Sequence, residues 1–238
     1  MRVEIWTDIA CPWCYVGKAR FDKALADFPH RDQVEVVHRS FELDPGRAKG
    51  DVQPVVAMLT RKYGMSEAQA EAGEDNLGAQ AAAEGLEYRT RGRDHGNTFD
   101  MHRLLHFAKE QGRQDALIQI LYRANFAEER SVFTEGDERL VELATEAGLD
   151  AEAVRAVLAD PDAYADEVRA DEREAAQLGA TGVPFFVLDR KYGVSGAQPA
   201  EIFTQALTQA WGEHSPLKLI DQADADACGP DGCAVPQH

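Results

Sequence analysis

MRVEIWTDIACPWCYVGKARF (Met1–Phe21) runs from an apolar stretch through Cys-Pro-Trp-Cys at Cys11–Cys14 into a patterned segment. Val3, Ile5 and Trp6 are strand formers in a short run ending near Asp8, which predicts a strand. Pro12 stands where a helix would begin, with its φ already fixed and no donor to lose. Beyond it Val16, Ala19, Phe21, Leu25 and Phe28 keep roughly helical spacing, and Pro29 closes the element. The β-branched run VEVVHRSFEL (Val34–Leu43) predicts a second strand, ended by Asp44-Pro45-Gly46. Residues 1–45 therefore read strand, dithiol loop, helix, strand.

The character of the chain then changes. From about Val52 to Leu178 it is rich in Ala, Glu, Gln, Leu and Arg at helical spacing, broken at Gly92–Asn97, Glu135–Asp137 and Asp160–Asp162. Four to six helices are expected there. TGVPFFVLDRKYGVSGA (Thr181–Ala197) predicts two short strands joined by a tight turn, and the segment from Pro199 a helix opening with Pro and Glu. A βαβ unit, a long helical block and a ββα unit together predict an α/β fold. It has one small four-stranded sheet interrupted by a large inserted all-helical domain. The expected division is 1–48 with 179–212 for the discontinuous sheet domain, 49–178 for the insert, and 213–238 for a mobile C-terminal tail. No internal repeat is present.

With 238 residues and 44% hydrophobic content, the chain can bury a full core. Its net charge of −17 makes a poor partner for nucleic acid or an anionic membrane. No window approaches the roughly 18 apolar residues of a membrane span. Glu4 and Asp8 interrupt the N-terminus, so no signal peptide is expected and the reading is cytoplasmic. In a reducing cytosol structural disulfides are uncommon, and a CxxC is more often catalytic or metal-binding.

Three roles are open to CPWC: a structural disulfide, half of a zinc site, or an exchanging dithiol. Exchange needs one thiolate to attack and a second thiol near enough to release the mixed disulfide. Two cysteines flanking the first turn of a helix meet both needs. Cys11 is expected exposed at the strand–helix junction, where unpaired N–H groups and the positive end of the helix dipole favour the anion. Cys14, one turn further in and covered by Trp13 and Tyr15, is expected to stay protonated longer and to act as the resolving thiol. The second pair, Cys228 and Cys233, keeps a tetrathiolate zinc site open. Against zinc, such knuckles usually sit in turns between short strands, whereas CPWC opens a long helix.

WTDIACPWCYVG followed by TGVPFFVLDRKYGVSGAQ resembles the thioredoxin-like DsbA family. Within that family it resembles the FrnE-like branch of cytoplasmic dithiol oxidoreductases and isomerases. RSFELDP after the second strand and NTFDMHRLLHFA (Asn97–Ala108) extend the resemblance over nearly the whole chain. It implies a thioredoxin-like fold with a helical insertion, Cys11 as nucleophile and Cys14 as resolving cysteine. It also implies a cis Val183–Pro184 peptide facing them, with Pro12, Trp13, Val183 and Pro184 contacting substrate. The implied partners are client proteins with disulfides or thiols and a thioredoxin or glutathione reductant; no cofactor is implied. The resemblance further suggests that the Cys228/Cys233 pair serves as a second redox centre, against the alternative of a redundant pair in a frayed tail. Kappa-type glutathione transferases and 2-hydroxychromene-2-carboxylate isomerases share the fold branch, but they generally carry serine at the nucleophile position and lack the resolving thiol. A glutathione-dependent enzyme of that type, or a zinc-binding or redox-sensing protein, is the alternative.

His102 and His106 stand four apart, a spacing that could hold a metal. No glutamate of an HExxH pattern accompanies them, and Leu104, Leu105 and Phe107 favour a packed helix; no metal ligand is assigned. By resemblance His102 or Asn97 would line the substrate groove. The acidic run EVRADERE (Glu167–Glu174) is expected on a solvated helix face.

Overall fold

The computed structural model describes residues 1–214. β1 (Arg2–Thr7), α1 (Pro12–Ala26) and β2 (Glu35–Ser40) form the first unit, with β1 and β2 parallel and Val3 opposite Val36. After a long excursion β5 (Phe185–Leu188) returns antiparallel to β1, and β6 (Tyr192–Ser195) closes a hairpin with it. The sheet order is β2-β1-β5-β6. The terminal α9 (Ala200–Glu213) packs beside α1.

β1 is buried from Val3 to Thr7 because both faces of the sheet are covered. Its side chains alternate between two layers. Val3 and Ile5 join Phe21, Phe186, Leu188, Phe203 and Leu207 under α1 and α9, where Phe186 and Phe203 meet edge-on at 4.5 Å. Trp6 faces the other way, onto Val187 and Ala175.

Seven helices lie between β2 and β5. They are α2 (Val55–Tyr63), α3 (Glu67–Ala83), α4 (Phe99–Glu110), α5 (Gln114–Phe126), α6 (Asp137–Glu146), α7 (Ala151–Ala159) and α8 (Ala165–Gln177). That is more than the four to six expected, because short turns divide the segment where composition hardly changes. Ser66 is one such divider, capping α3 reciprocally with Gln69. A two-residue antiparallel ladder, β3 (Gln53–Pro54) with β4 (Asp94–His95), adds strand pairing to the helical insert. Its core of Met101, Leu104, Leu117, Leu121, Leu143 and Val154 is continuous with Ile9, Cys11 and Cys14.

The run 167–174 is solvated on one side only, with Glu167 and Arg173 exposed. Val168 and Asp171 are buried because α8 lies across the second face of the sheet. Trp6 donates to the Asp171 carbonyl at 2.8 Å, while the Asp171 carboxylate accepts from Ser40 N, Arg39 and His106 at 2.9–3.1 Å. Arg39 also reaches buried Glu4, which Arg190 approaches from the far strand. His106 is thus a structural partner of Asp171, and no group of metal-binding side chains occurs among the described residues.

Burial pushes the Asp171 carboxyl up, but His106, the Ser40 N–H and Arg39 more than reverse it, leaving it below its ordinary value. Asp171→Ala should cost about 3–5 kcal/mol at pH 7, since it leaves buried partners unpaired. A depressed carboxyl contributes stability above its unfolded pKa of about 3.9 and loses it as the pH falls through the lower folded value. Urea unfolding of both proteins should therefore show a gap that is full at pH 7 and narrows in that acidic window.

Candidate active site at the Cys11–Cys14 turn

Cys11 is the N-cap of α1 in extended conformation, and Pro12 occupies the first helical position. The turn before it is closed by the Cys11 N–H donating to Asp8 O at 3.1 Å, and the Cys14 N–H donates back to Cys11 O at 3.0 Å. Asp8 fixes this loop from beneath. Its carboxylate accepts from Ala10 N at 3.2 Å and Leu43 N at 2.7 Å, and faces His102 Nε2 at 3.4 Å. Asn125 holds the same loop by donating to Ile9 O at 2.8 Å. Burial would push the Asp8 carboxyl up; His102, Leu43 N and Thr98 outweigh it and hold the group below its ordinary value. The ionised carboxylate fixes His102 as the donor through Nε2–H.

Cys11 is 4% exposed, not the open thiol expected from its place at a strand–helix junction. The cover comes from distant segments: Cys11, Leu43, Tyr88 and Val183 belong to one packed cluster. Its thiol donates to Val183 O at 3.6 Å, across a cis Val183–Pro184 peptide. What opening remains is a cavity of about 370 Å³ shared by Cys11, Pro12, Trp13 and Val183 with Leu59, Met65 and Leu77 of the insert. The buried Arg93–Glu74 ion pair also lines it. Trp13, 38% exposed, forms part of the cavity wall. Pro184 sits outside the cavity, its ring against Gly17 of α1 and its carbonyl held by Gly196 N at 2.8 Å.

Cys14 is 1% exposed. Burial and then the neighbouring Cys11 push its thiol well above the ordinary value, and the Thr7 hydroxyl and Asp8 N–H pull the other way. The two sulfurs of one helical turn thus differ in access: one borders a cavity and the other is sealed. Both are free thiols in this structure. Cys228 and Cys233 lie outside the described residues.

Two expected groove residues are elsewhere. His102 is fully buried behind Asp8, and Asn97 lines a separate cavity of about 160 Å³, donating to Arg47 O. Asp8 and Thr7 were missed as site residues. Their signal was an ionisable and a hydroxyl side chain inside a run otherwise fit for a buried strand. Nothing in the local pattern points to Arg93, Glu74 or Tyr122.

Residues 2–208 match the family model described as the DSBA-like thioredoxin domain. A solved structure of a probable DsbA oxidoreductase from Streptomyces coelicolor is 83% identical, covers 100% of both chains and superposes with a TM-score of 0.90. The uncharacterized protein YwbO of Bacillus subtilis is 26% identical over 210 residues, 87% of this chain and 96% of that protein. The cytosolic disulfide reductase DsbM of Pseudomonas aeruginosa shares the fold at 20% identity, with a TM-score of 0.59 over 88% of this chain and 98% of its own.

A Cβ at Gly17 would stand 3.0 Å from Pro184 Cγ and 3.2 Å from Ala197 Cβ, whereas one at Gly73 of α3 meets nothing within 4 Å. Gly17→Ala should cost about 1–3 kcal/mol by overpacking. Gly73→Ala, free of contacts, should stabilise by up to about 1 kcal/mol through helix propensity. Denaturant unfolding of the two variants checks the opposite signs.

Proposed function

We propose, from the premise that the chain belongs to the DSBA-like thioredoxin family, that it is a dithiol oxidoreductase exchanging Cys11–Cys14 with the disulfides of client proteins. One observation carries the reading: the unequal surroundings of two thiols in a single turn. Cys11 borders the cavity as the N-cap of α1. Cys14 is sealed behind it. In the reductive direction the Cys11 thiolate attacks one sulfur of the client disulfide, forming a mixed disulfide as the other client sulfur leaves as thiolate. Cys14 then attacks the Cys11 sulfur. The Cys11–Cys14 disulfide forms, the second client sulfur departs, and the proton of Cys14 ends on a released thiolate. The client gains two electrons and the enzyme loses two, which a thiol reductant such as a thioredoxin or glutathione restores. The reverse sequence oxidises a client dithiol.

The size of the cavity favours a second reading. About 370 Å³ falls near the lower end of the range for small-molecule sites, roughly 300–1,000 Å³. A glutathione-using enzyme would suit such a site, and the Pseudomonas reductase has been solved with GSH. The retained Cys14 favours exchange over a transferase that only activates glutathione. Turnover of glutathione with an electrophile, absent from a dithiol exchanger, separates the two.

Cys14→Ser should accumulate covalent mixed disulfides with clients, because attack survives and resolution is lost, while Cys11→Ser should trap none. Non-reducing electrophoresis with mass spectrometry reads the result. Equal trapping by both variants, or by neither, removes the assigned roles.

The tail pair Cys228 and Cys233 is proposed as a second redox centre that relays electrons to the first. The tether makes that exchange intramolecular, at effective concentrations up to about the millimolar range. Cys228→Ser/Cys233→Ser should then reduce clients more slowly, and partial oxidation of the parent should yield a crosslink from Cys11 or Cys14 to the tail. Full activity with no such crosslink ends the relay, and zinc bound to the reduced parent but not to the double variant would assign the pair to a metal site.

A further inference from the structure

The cavity beside Cys11 is largely apolar, yet a buried ion pair is set into its wall. Glu74 comes from α3 and Arg93 from the residue before β4, and each side chain is 4% exposed. Tyr88 joins them. Its hydroxyl donates to Glu74 Oε2 at 3.1 Å and accepts from Arg93 Nη2 at 2.6 Å, while Arg93 Nε donates to Arg89 O at 2.9 Å. The guanidinium lies over the Tyr88 and Phe126 rings, at 4.7 and 5.0 Å from their centroids, which fixes its plane. A buried ion pair is a weak source of stability, because desolvation of both charges offsets their attraction.

The pair keeps capacity in reserve. Arg93 Nη1 and Glu74 Oε1 make no hydrogen bond among the described residues, and neither atom is sealed, so each meets open space. Besides the cavity of about 370 Å³, both residues border a cleft of about 50 Å³, room for water alone. A larger ligand therefore meets the pair from the side of Cys11. Lys62 and Asp94 line the same cavity, and burial and Arg47 hold His95 below its ordinary value, so it is neutral at pH 7. Lys62 and Arg93 then balance Glu74 and Asp94. An ion of one sign gains little from such a lining, whereas a group carrying both signs on one carbon suits it.

We propose that the cavity is a head-group site for a free amino-acid disulfide of the cystine type, with Arg93 taking the α-carboxylate and Glu74 the α-ammonium. The proposal rests on the dithiol reading above and adds a small substrate to it. In cystine both charges stand on the carbon two bonds from sulfur, so one small cavity can hold the head group and the reacting bond together. A cysteine within a protein lacks both charges, because its nitrogen and carbonyl are in peptide bonds. The Cys11 thiolate attacks one cystine sulfur and the other cysteine leaves as thiolate. Cys14 then attacks the Cys11 sulfur, the bound cysteine departs, and its thiolate receives the Cys14 proton. Cystine gains two electrons and the Cys11–Cys14 pair loses two.

The test uses the full chain with Cys228→Ser/Cys233→Ser as parent, reduced and mixed with excess disulfide. Acid quenching and mass spectrometry time the formation of the Cys11–Cys14 disulfide. The probes are cystine, dithiodipropionate, which lacks the ammonium, and cystamine, which lacks the carboxylate. Each rate constant is divided by that of the same disulfide with dithiothreitol, which removes differences in intrinsic reactivity. Cystine should exceed both analogues about tenfold to a hundredfold, the worth of a hydrogen bond between charged groups. Glu74→Gln, nearly isosteric, should bring cystine down to the level of dithiodipropionate. That readout is a ratio within one protein, and the order of probes in the parent decides the matter even where the variant fails to fold. Cystine without advantage over either analogue, or an advantage that survives Glu74→Gln, overturns the head-group site while the oxidation itself upholds the dithiol reading. A Glu74 dependence seen with glutathione disulfide and not with cystine also overturns it, since that head group stands far from the sulfur. A parent oxidised by none of these, nor by dithiobis-nitrobenzoate, overturns the dithiol reading and the site with it.

Discussion

The buried carboxylate of Asp8 is the constraint on which the site depends. It ties together the loop leading into Cys11, the exit of β2 at Leu43 and helix α4 through His102. These belong to the sheet domain and to the inserted helices alike. An ionised carboxylate in such a place is tolerable because its partners are already there: two backbone N–H groups, an imidazole and Thr98. With the loop pinned, the Cys11 N-cap and the first turn of α1 have one geometry. The spacing between the thiol and Val183 O follows from that geometry.

The opposite face of the sheet repeats the principle on a larger scale. Glu4, Arg39, Arg190 and Asp171 form a charged seam between the strands and α8, with His106 and Ser40 completing it. A net charge of −17 suggests acids spread over the surface, yet several are buried in directional roles. Satisfied networks of this kind orient helices more sharply than apolar contact alone. They place α8, and so the chain entering the Val183–Pro184 loop, against Trp6.

Much of this was legible in the chain. Strand alternation in Val3–Trp6, Pro12 at a helix start and the return to strand formers at Phe185 required only local periodicity and gave the order of the sheet elements. The cis Val183–Pro184 peptide and its place facing the cysteines came from resemblance, because nothing within TGVPFF specifies its distance from residue 11. The helix count failed for a physical reason: in an alanine- and glutamate-rich stretch a single cap such as Ser66 divides two helices, and composition does not register it. Within Glu167–Glu174 the place of Asp171 was misread, because a charged run reads as solvated until its partners, from residues 39, 40 and 106, are known. The burial of Cys11 was hidden similarly, since Leu43, Tyr88 and Val183 all arrive from elsewhere in the chain. Periodicity reports which face of an element is apolar. It does not report what eventually lies on that face.

The hydrogen bond between Cys11 and Val183 spans 172 positions of sequence. A chain made from its N-terminus therefore presents its dithiol early and the acceptor of that thiol very late. Until β5 has paired with β1 the sheet lacks its third strand, and Phe186 is missing from beneath α1. Contacts of such long range are the slow ones in folding. The surroundings that set the two thiols apart are thus a property of the completed polypeptide: they exist only once the last strands have closed over the first turn of α1.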